Sequence, residues 1–151
     1  EKVIIQSETE MKEFGRTIGA ALRGGEVLEL IGDVGTGKTT LTKGLAEGLA
    51  ISEPVQSPTF TISRVYAARD GLHLHHYDFY RLGEAGIMAE DVNEVMHDPA
   101  AVTVIEWSGA VSDVLPTDRL PISIQATDEN ERNVTVNAGG ERSQALLEAV
   151  K

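Results

Sequence analysis

Apolar and polar positions along the chain change period several times, and each change predicts an element. Residues 3–5 form a short apolar run that reads as a strand. Ser7 followed three residues later by Glu10 reads as a capping box. Behind it Met11, Phe14, Ile18 and Leu22 recur at spacings of three and four, a helical stripe that Gly24-Gly25 stops. Residues 26–31 are apolar enough for a buried strand, and after a glycine-rich stretch Leu41, Leu45 and Leu49 mark a second helix running through Ala50. Residues 61–67 and 72–77 are strand-like and meet around Asp70-Gly71, a strong hairpin signal. From Gly83 to Ala101 the chain is acidic and helix-forming, with Met88, Val92 and Met96 four apart and Asp98-Pro99 as a stop. The β-branched run 102–105 suits a parallel sheet buried on both faces. Ile122, Ile124 and Ala126 alternate, as do Val134 and Val136 beyond a polar turn at 128–132, which predicts a closing antiparallel hairpin. Leu146, Leu147 and Val150 predict a short terminal helix.

Strands alternating with helices in this way predict an α/β fold of three layers, with a mixed, mostly parallel central sheet flanked by helices and an antiparallel hairpin near the C-terminus. Length agrees with a single domain over 1–151, since 151 residues bury roughly two-thirds of the unfolded surface in one core. No repeat, low-complexity tract or linker interrupts it. The net charge of −11 disfavours autonomous, phosphate-driven binding of nucleic acid. The absence of cysteine excludes disulfides and thiolate metal sites and fits a reducing, cytoplasmic setting. No apolar run approaches the length of a membrane span. The first residue is Glu1, which leaves a removed leader or a trimmed terminus open.

The glycine-rich stretch carries the chemistry. Gly32-Asp33-Val34-Gly35-Thr36-Gly37-Lys38-Thr39 fits the phosphate-loop pattern G-x-x-x-x-G-K-S/T at every fixed position, between a strand and a helix as that motif requires. Glycines let backbone N–H groups turn inward around an anion, Lys38 adds a positive charge at the β and γ phosphates, and Thr39 offers a hydroxyl to Mg²⁺. Thr40 follows in the first turn, where the helix presents its unpaired N–H groups and positive dipole end. These features predict a P-loop nucleotide-binding fold.

Four later places are candidates for the same site. In Ser57-Pro58-Thr59-Phe60 the proline sets a turn, and Thr59 reads either as part of a switch near the γ-phosphate or as the lead-in to a strand. Asp78 closes the strand ending His75-His76-Tyr77 and, downstream of a phosphate loop, is the expected Walker-B carboxylate for Mg²⁺. Glu106 ends the run 102–105 at the sheet edge where open α/β sheets bind ligands, a second candidate for Mg²⁺ or for orienting the attacking water. Trp107, the only tryptophan, packs on a loop or touches nucleotide or partner. His73 and His75 share a strand face, but no third ligand stands at a useful spacing, so they read as ordinary strand histidines.

The loop GDVGTGKTT, then SPTF, then HYDFYRL, then IEW, in this order and spanning essentially the whole chain, closely resembles the TsaE family, formerly YjeE. The resemblance implies a bacterial P-loop ATPase required for threonylcarbamoyladenosine modification of tRNA. It implies docking on the TsaB–TsaD pair, where TsaD transfers the threonylcarbamoyl group, with ATP hydrolysis resetting that machinery and tRNA met only through the complex. The family pattern sets Lys38 and Thr39 at the phosphates and Mg²⁺, Thr59 in the switch, and Asp78 and Glu106 at metal and water. His76, Tyr80 and Arg81 match the rest of its H-x-D-x-Y-R signature, and Trp107 its tryptophan. The chain departs from the pattern at Gly109, often acidic in the family, and after Leu82, where the usual glycine following the acidic residues is missing.

Other classes use the same loop. A small-molecule kinase normally adds an arginine-rich lid and an acceptor pocket, for which no signal is seen. A GTPase should show D-x-x-G and a guanine reader, whereas Asp78 is followed by Phe79-Tyr80-Arg81; adenine is therefore favoured. A nucleotide-binding scaffold without turnover is disfavoured by intact Lys38, Asp78 and Glu106. Arg64, Arg69 and Arg81 are candidates for an internal arginine finger, none compelling, so slow turnover is expected for the chain alone.

Overall fold

The computed structural model describes residues 1–33, 35–56, 63–79 and 86–150. Ser7 Oγ accepts the Glu10 amide at 3.1 Å, as its place in the sequence predicts, and opens helix α1, Glu8–Ala21, behind strand β1, Lys2–Ile5. Strand β2, Val27–Ile31, follows, then the glycine-rich loop and helix α2, Lys38–Gly48. Strands β3, Ser63–Ala67, and β4, His73–Asp78, are joined by a tight turn in which Asp70 and Gly71 both take positive φ, 58° and 75°, as the hairpin signal requires. Helix α3, Gly86–Met96, leads into β5, Ala101–Glu106; the chain finishes with β6, Leu120–Ala126, β7, Arg132–Val136, and helix α4, Glu141–Ala149. A 3-10 helix at Ser108–Val114 has no counterpart among the elements predicted from sequence.

These strands make one seven-stranded sheet in the order β1-β7-β6-β2-β5-β4-β3. β2 pairs in parallel with β5 and β6, and β4 with β5; only β3 and β7 run against the other five strands. The fold is thus α/β with a mixed, mostly parallel sheet. β2 lies in the middle, so its carboxyl end and the loop that follows stand between the ends of β5 and β6, where open sheets of this class bind ligands. Leu28, Leu30, Val102, Val104, Leu120 and Ile122 build the core on one face with α1 and α2, and all are buried. On the other face Val27, Tyr77, Ile105 and Val92 of α3 form a second cluster.

What holds α2, and hence the loop, is a seam of bare backbone. A Cβ added at Gly15 or Gly19 of α1 would lie 2.3 Å from the carbonyls of Leu41 and Leu45, and one added at Gly44 or Gly48 of α2 would lie 2.2 and 2.4 Å from those of Lys12 and Arg16. The two helices touch main chain to main chain, which no larger residue permits. Arg69 locks the far end. Its guanidinium donates to the carbonyls of Gly19, Ala20 and Leu22 at the C-terminal end of α1, and its Nε to Gly48 of α2. This overturns Arg69 as an arginine-finger candidate: its donors are committed to orphan helix carbonyls, at the end of α2 away from the loop. Among the described residues no helix is long and apolar enough to cross a membrane.

Candidate functional site

The site begins where β2 stops. The loop leaves Ile31 and re-enters helix at Lys38, with Gly35 at φ 85° and Gly37 at φ 113°, values that side-chain-bearing residues rarely hold. Gly37 is the N-cap of α2 and has no side chain with which to accept the first-turn N–H groups. Thr36 stiffens the loop by donating Oγ1 to the Asp33 carbonyl at 2.9 Å. Arg132 of β7 donates Nε to the Thr36 carbonyl at 3.1 Å and ties the loop to the neighbouring hairpin. That last link spans the chain and carries no local sequence signal.

Lys38 is 6% exposed, and its surroundings explain why an ammonium is tolerated there. Nζ donates to the Gly32 carbonyl at 2.7 Å, lies 3.9 Å from Glu106 Oε1 and stands 4.0 Å from the centre of the Trp107 ring. Burial pushes the Lys38 ammonium below its ordinary range, while the charges of Glu106, Asp78 and Asp33 pull the other way. Thr39 is exposed in the first turn and Thr40 half-buried beside it.

Asp78 and Glu106 meet because β4 and β5 are parallel and in register: each is the last residue of its strand, and the two are direct partners. Their side chains project to the α2 face, since side chains alternate and Leu74 and Val104 of that face belong to the same core. Glu106 is 4% exposed, and its Oε2 lies 2.7 Å from Nε2 of the fully buried His76. Sequence reading placed His76 in the H-x-D-x-Y-R signature but gave it no role; its place two residues before Asp78 puts both on one face. Trp107 follows at φ 56°, an unusual conformation for a bulky residue, and Ser108 beside it donates to Glu29, which also accepts Arg119 Nε at 3.0 Å.

Two clefts flank the loop. One of about 530 Å³ is lined by Gly35, Gly37 and Thr40, by the start of α1 and by Asn130 and Arg132. The other, about 330 Å³, lies among Ile31, Asp33, Trp107 and Gly109. Of the residues predicted for the site, Gly32, Asp33, Gly35, Thr36, Gly37, Lys38, Thr39, Thr40, Asp78 and Glu106 are thus gathered at the carboxyl edge of β2, β4 and β5. Val34, Thr59 with residues 57–60, Tyr80 and Arg81 lie outside the described residues. His73 is exposed and His75 half-buried, and among the described residues no three His, Cys, Asp or Glu side chains converge on a point. Burial lowers the His75 imidazole, His73 adds to this, and Asp98 and Asp91 oppose it.

Comparison with known proteins decides the family. The model of the threonylcarbamoyl adenosine biosynthesis protein TsaE matches residues 5–134. The chain belongs to the TsaE family. Among TsaE relatives, the tRNA threonylcarbamoyladenosine biosynthesis protein TsaE of Bacillus subtilis is 42% identical over 142 residues, covering 92% of this chain and 86% of its own. The TsaE protein of Streptomyces coelicolor is 41% identical over 137 residues, 87% of this chain and 93% of its own. The crystal structure of Bacillus YdiB superposes with a TM-score of 0.81 at 35% identity, covering 99% of this chain and 93% of that one. The resemblance drawn from the phosphate loop and three short motifs therefore holds for TsaE over nearly the whole chain.

Proposed function

We propose that the chain is a P-loop ATPase that binds and hydrolyses MgATP in support of threonylcarbamoyladenosine modification of tRNA. The observation that carries this reading is the meeting of Lys38, Asp78 and Glu106 at the glycine-capped start of α2, three side chains from three elements on one sheet edge. The loop N–H groups and Lys38 would hold the phosphates, and the 530 Å³ cleft beside Thr40 would take the nucleoside. The donors at hand, the Thr39 hydroxyl and the Asp78 and Glu106 carboxylates, are all hard oxygens on adjacent ends of elements, the chemistry Mg²⁺ prefers when it shares its shell with phosphate oxygens. Mg²⁺, when bound, neutralises charge developing on the transferring phosphoryl group.

Within that frame the chain's own residues divide the work. Lys38 places its charge at the β and γ phosphates, and the fixed loop dipoles stabilise the spreading negative charge. Glu106 orients the attacking water or shares the metal with Asp78. Trp107, its ring 4.0 Å from Lys38 Nζ, helps to hold the ammonium in place. With Arg69 committed to helix ends, Arg64 is the internal arginine-finger candidate among the described residues, and turnover by the chain alone is slow; a missing stabilising charge is worth ~10³ or more in rate.

Family membership supports docking on the TsaB–TsaD pair, where TsaD transfers the threonylcarbamoyl group, with tRNA met through the complex in the cytoplasm. Phosphate release from MgATP, by the chain alone and then with TsaB, TsaD and tRNA, tests this. Slow release that rises in the assembly is expected. Release that ignores the partners while a small-molecule acceptor becomes phosphorylated overturns it in favour of a kinase. Glu106→Ala is expected to keep MgATP affinity within ~3-fold while single-turnover hydrolysis falls by ~100-fold or more; an unchanged rate makes Glu106 structural.

A further inference from the structure

His76 is a poor choice for a core position unless its ring is used. It is 1% exposed in β4, its neighbours in register are Arg64 on β3 and Val104 on β5, and Leu74 fills the same face two residues earlier. Among the described residues its buried Nδ1 has no hydrogen-bond partner. A leucine there would pack without stranding a polar atom. The return on this arrangement is at Nε2, 2.7 Å from Glu106 Oε2. An ionised carboxylate only accepts, so Nε2 carries the hydrogen and the bare Nδ1 is the unpartnered atom. The two oxygens of Glu106 are thereby made unequal: Oε2 is tied back into the sheet, and Oε1 is turned to the loop, 3.9 Å from Lys38 Nζ. That gap is too long for a hydrogen bond. Lys38 instead donates to Gly32 at 2.7 Å.

We propose that His76 is the positioning residue of Glu106, holding Oε2 through Nε2–H so that Oε1 alone faces the reacting water or the metal and the carboxylate does not close onto Lys38. The assignment rests on the role given to Glu106 above and adds the group that sets its rotamer. Arg64, a charge packed against His76, has its Nε buried without a hydrogen-bond partner among the described residues, Glu106 included, so it does not compete for Glu106 through that atom.

The first test needs no turnover. In the full chain without nucleotide, ¹⁵N spectra of the histidines should show His76 with the proton on Nε2, and Glu106→Gln should shift that signal. A bare Nε2, or a signal indifferent to Glu106→Gln, overturns the proposal. The second test compares variants in single-turnover hydrolysis of MgATP. His76→Leu should lose ~10- to 100-fold in rate with MgATP affinity changed less than ~3-fold, since an ångström of misplacement in a reacting group costs about that much. His76→Gln, whose amide nitrogen reaches the place of Nε2, should recover to within ~5-fold of the native rate. His76→Asn, too short to reach, should behave like the leucine variant and stands in for it if the latter does not fold. Rates equal to native in both His76→Leu and His76→Asn, or no recovery in a folded His76→Gln, overturn the proposal. A native rate in Glu106→Ala is a different result: it removes the role of Glu106 itself, while the ¹⁵N signature would still report the contact.

Discussion

Two helices in this chain begin in opposite ways. At the start of α4 the Asp118 carboxylate accepts the Arg142 and Ser143 amides at 2.9 Å each and the Ser143 hydroxyl at 2.7 Å, so an anion from the chain itself fills the N-terminus. At the start of α2 the cap, as in α4, is a glycine, Gly37, and what stands beside it is a buried lysine. Each end offers the same dipole and the same orphan N–H groups. Where the chain needs only stability it supplies the anion; at α2, on the nucleotide reading proposed above, the donors are left to the phosphates and Lys38 is added. Asp118 shows the effect of such an end on an acid. Burial works to raise its carboxyl, but hydrogen bonds from Ser143 and Arg142 outweigh that and hold it below the usual carboxylate value.

The largest expected break in this comparison is Lys38→Ala, which removes the charge that makes the α2 end a site rather than a bare helix start. MgATP affinity by calorimetry should fall at least ~100-fold, and normal affinity would remove the premise of the nucleotide reading. Next is Gly35→Asp, which makes the α2 end resemble the α4 end by placing a carboxylate on the loop. A Cβ there meets nothing within 4 Å, and the cost is the φ of 85°, about 1 kcal/mol. The melting temperature should drop by no more than ~4 °C, while MgATP binding weakens ~10- to 100-fold through repulsion of the phosphates; unchanged binding would mean the loop does not meet them.

The smallest effect belongs to Asp118→Ala. Loss of a cap of this kind costs about 1 kcal/mol, or ~2–4 °C in melting temperature at neutral pH. Because the folded carboxyl lies below its unfolded value of about 3.9, its electrostatic contribution is complete above that pH and is lost as pH falls through the folded value. The gap between native and variant melting temperatures should therefore narrow below pH ~4. A gap that widens in acid contradicts the capping role.

Much of the fold was legible because its signals are local. The capping serine at 7, the Asp70-Gly71 turn, the leucines four apart along α2 and its C-cap and the β-branched run of β5 each act within a few residues, and each is found where the pattern puts it. The 3-10 helix at Ser108–Val114 was missed because its apolar positions, Val111 and Val114 with Leu115 behind them, make barely one turn, too short to stand out as a period. Of the site, the loop and the two strand-ending carboxylates could be named from motif and position. Arg69 could not be sorted from Arg64 and Arg81, because a guanidinium's work depends on which carbonyls the tertiary fold brings to it.

By itself the sequence determined the phosphate loop, the elements on either side of it and the residue types able to bind phosphate and Mg²⁺, since backbone freedom at glycine, hydrophobic period and side-chain chemistry are properties of short stretches. Only the tertiary structure decided that Asp78 and Glu106 end side by side, that His76 holds one oxygen of Glu106, that Trp107 covers Lys38 and that Asp118 caps a helix 24 residues further on. Those pairings depend on strand order and register, which are set by the packing of the whole sheet against α1 and α2 and not by any one segment.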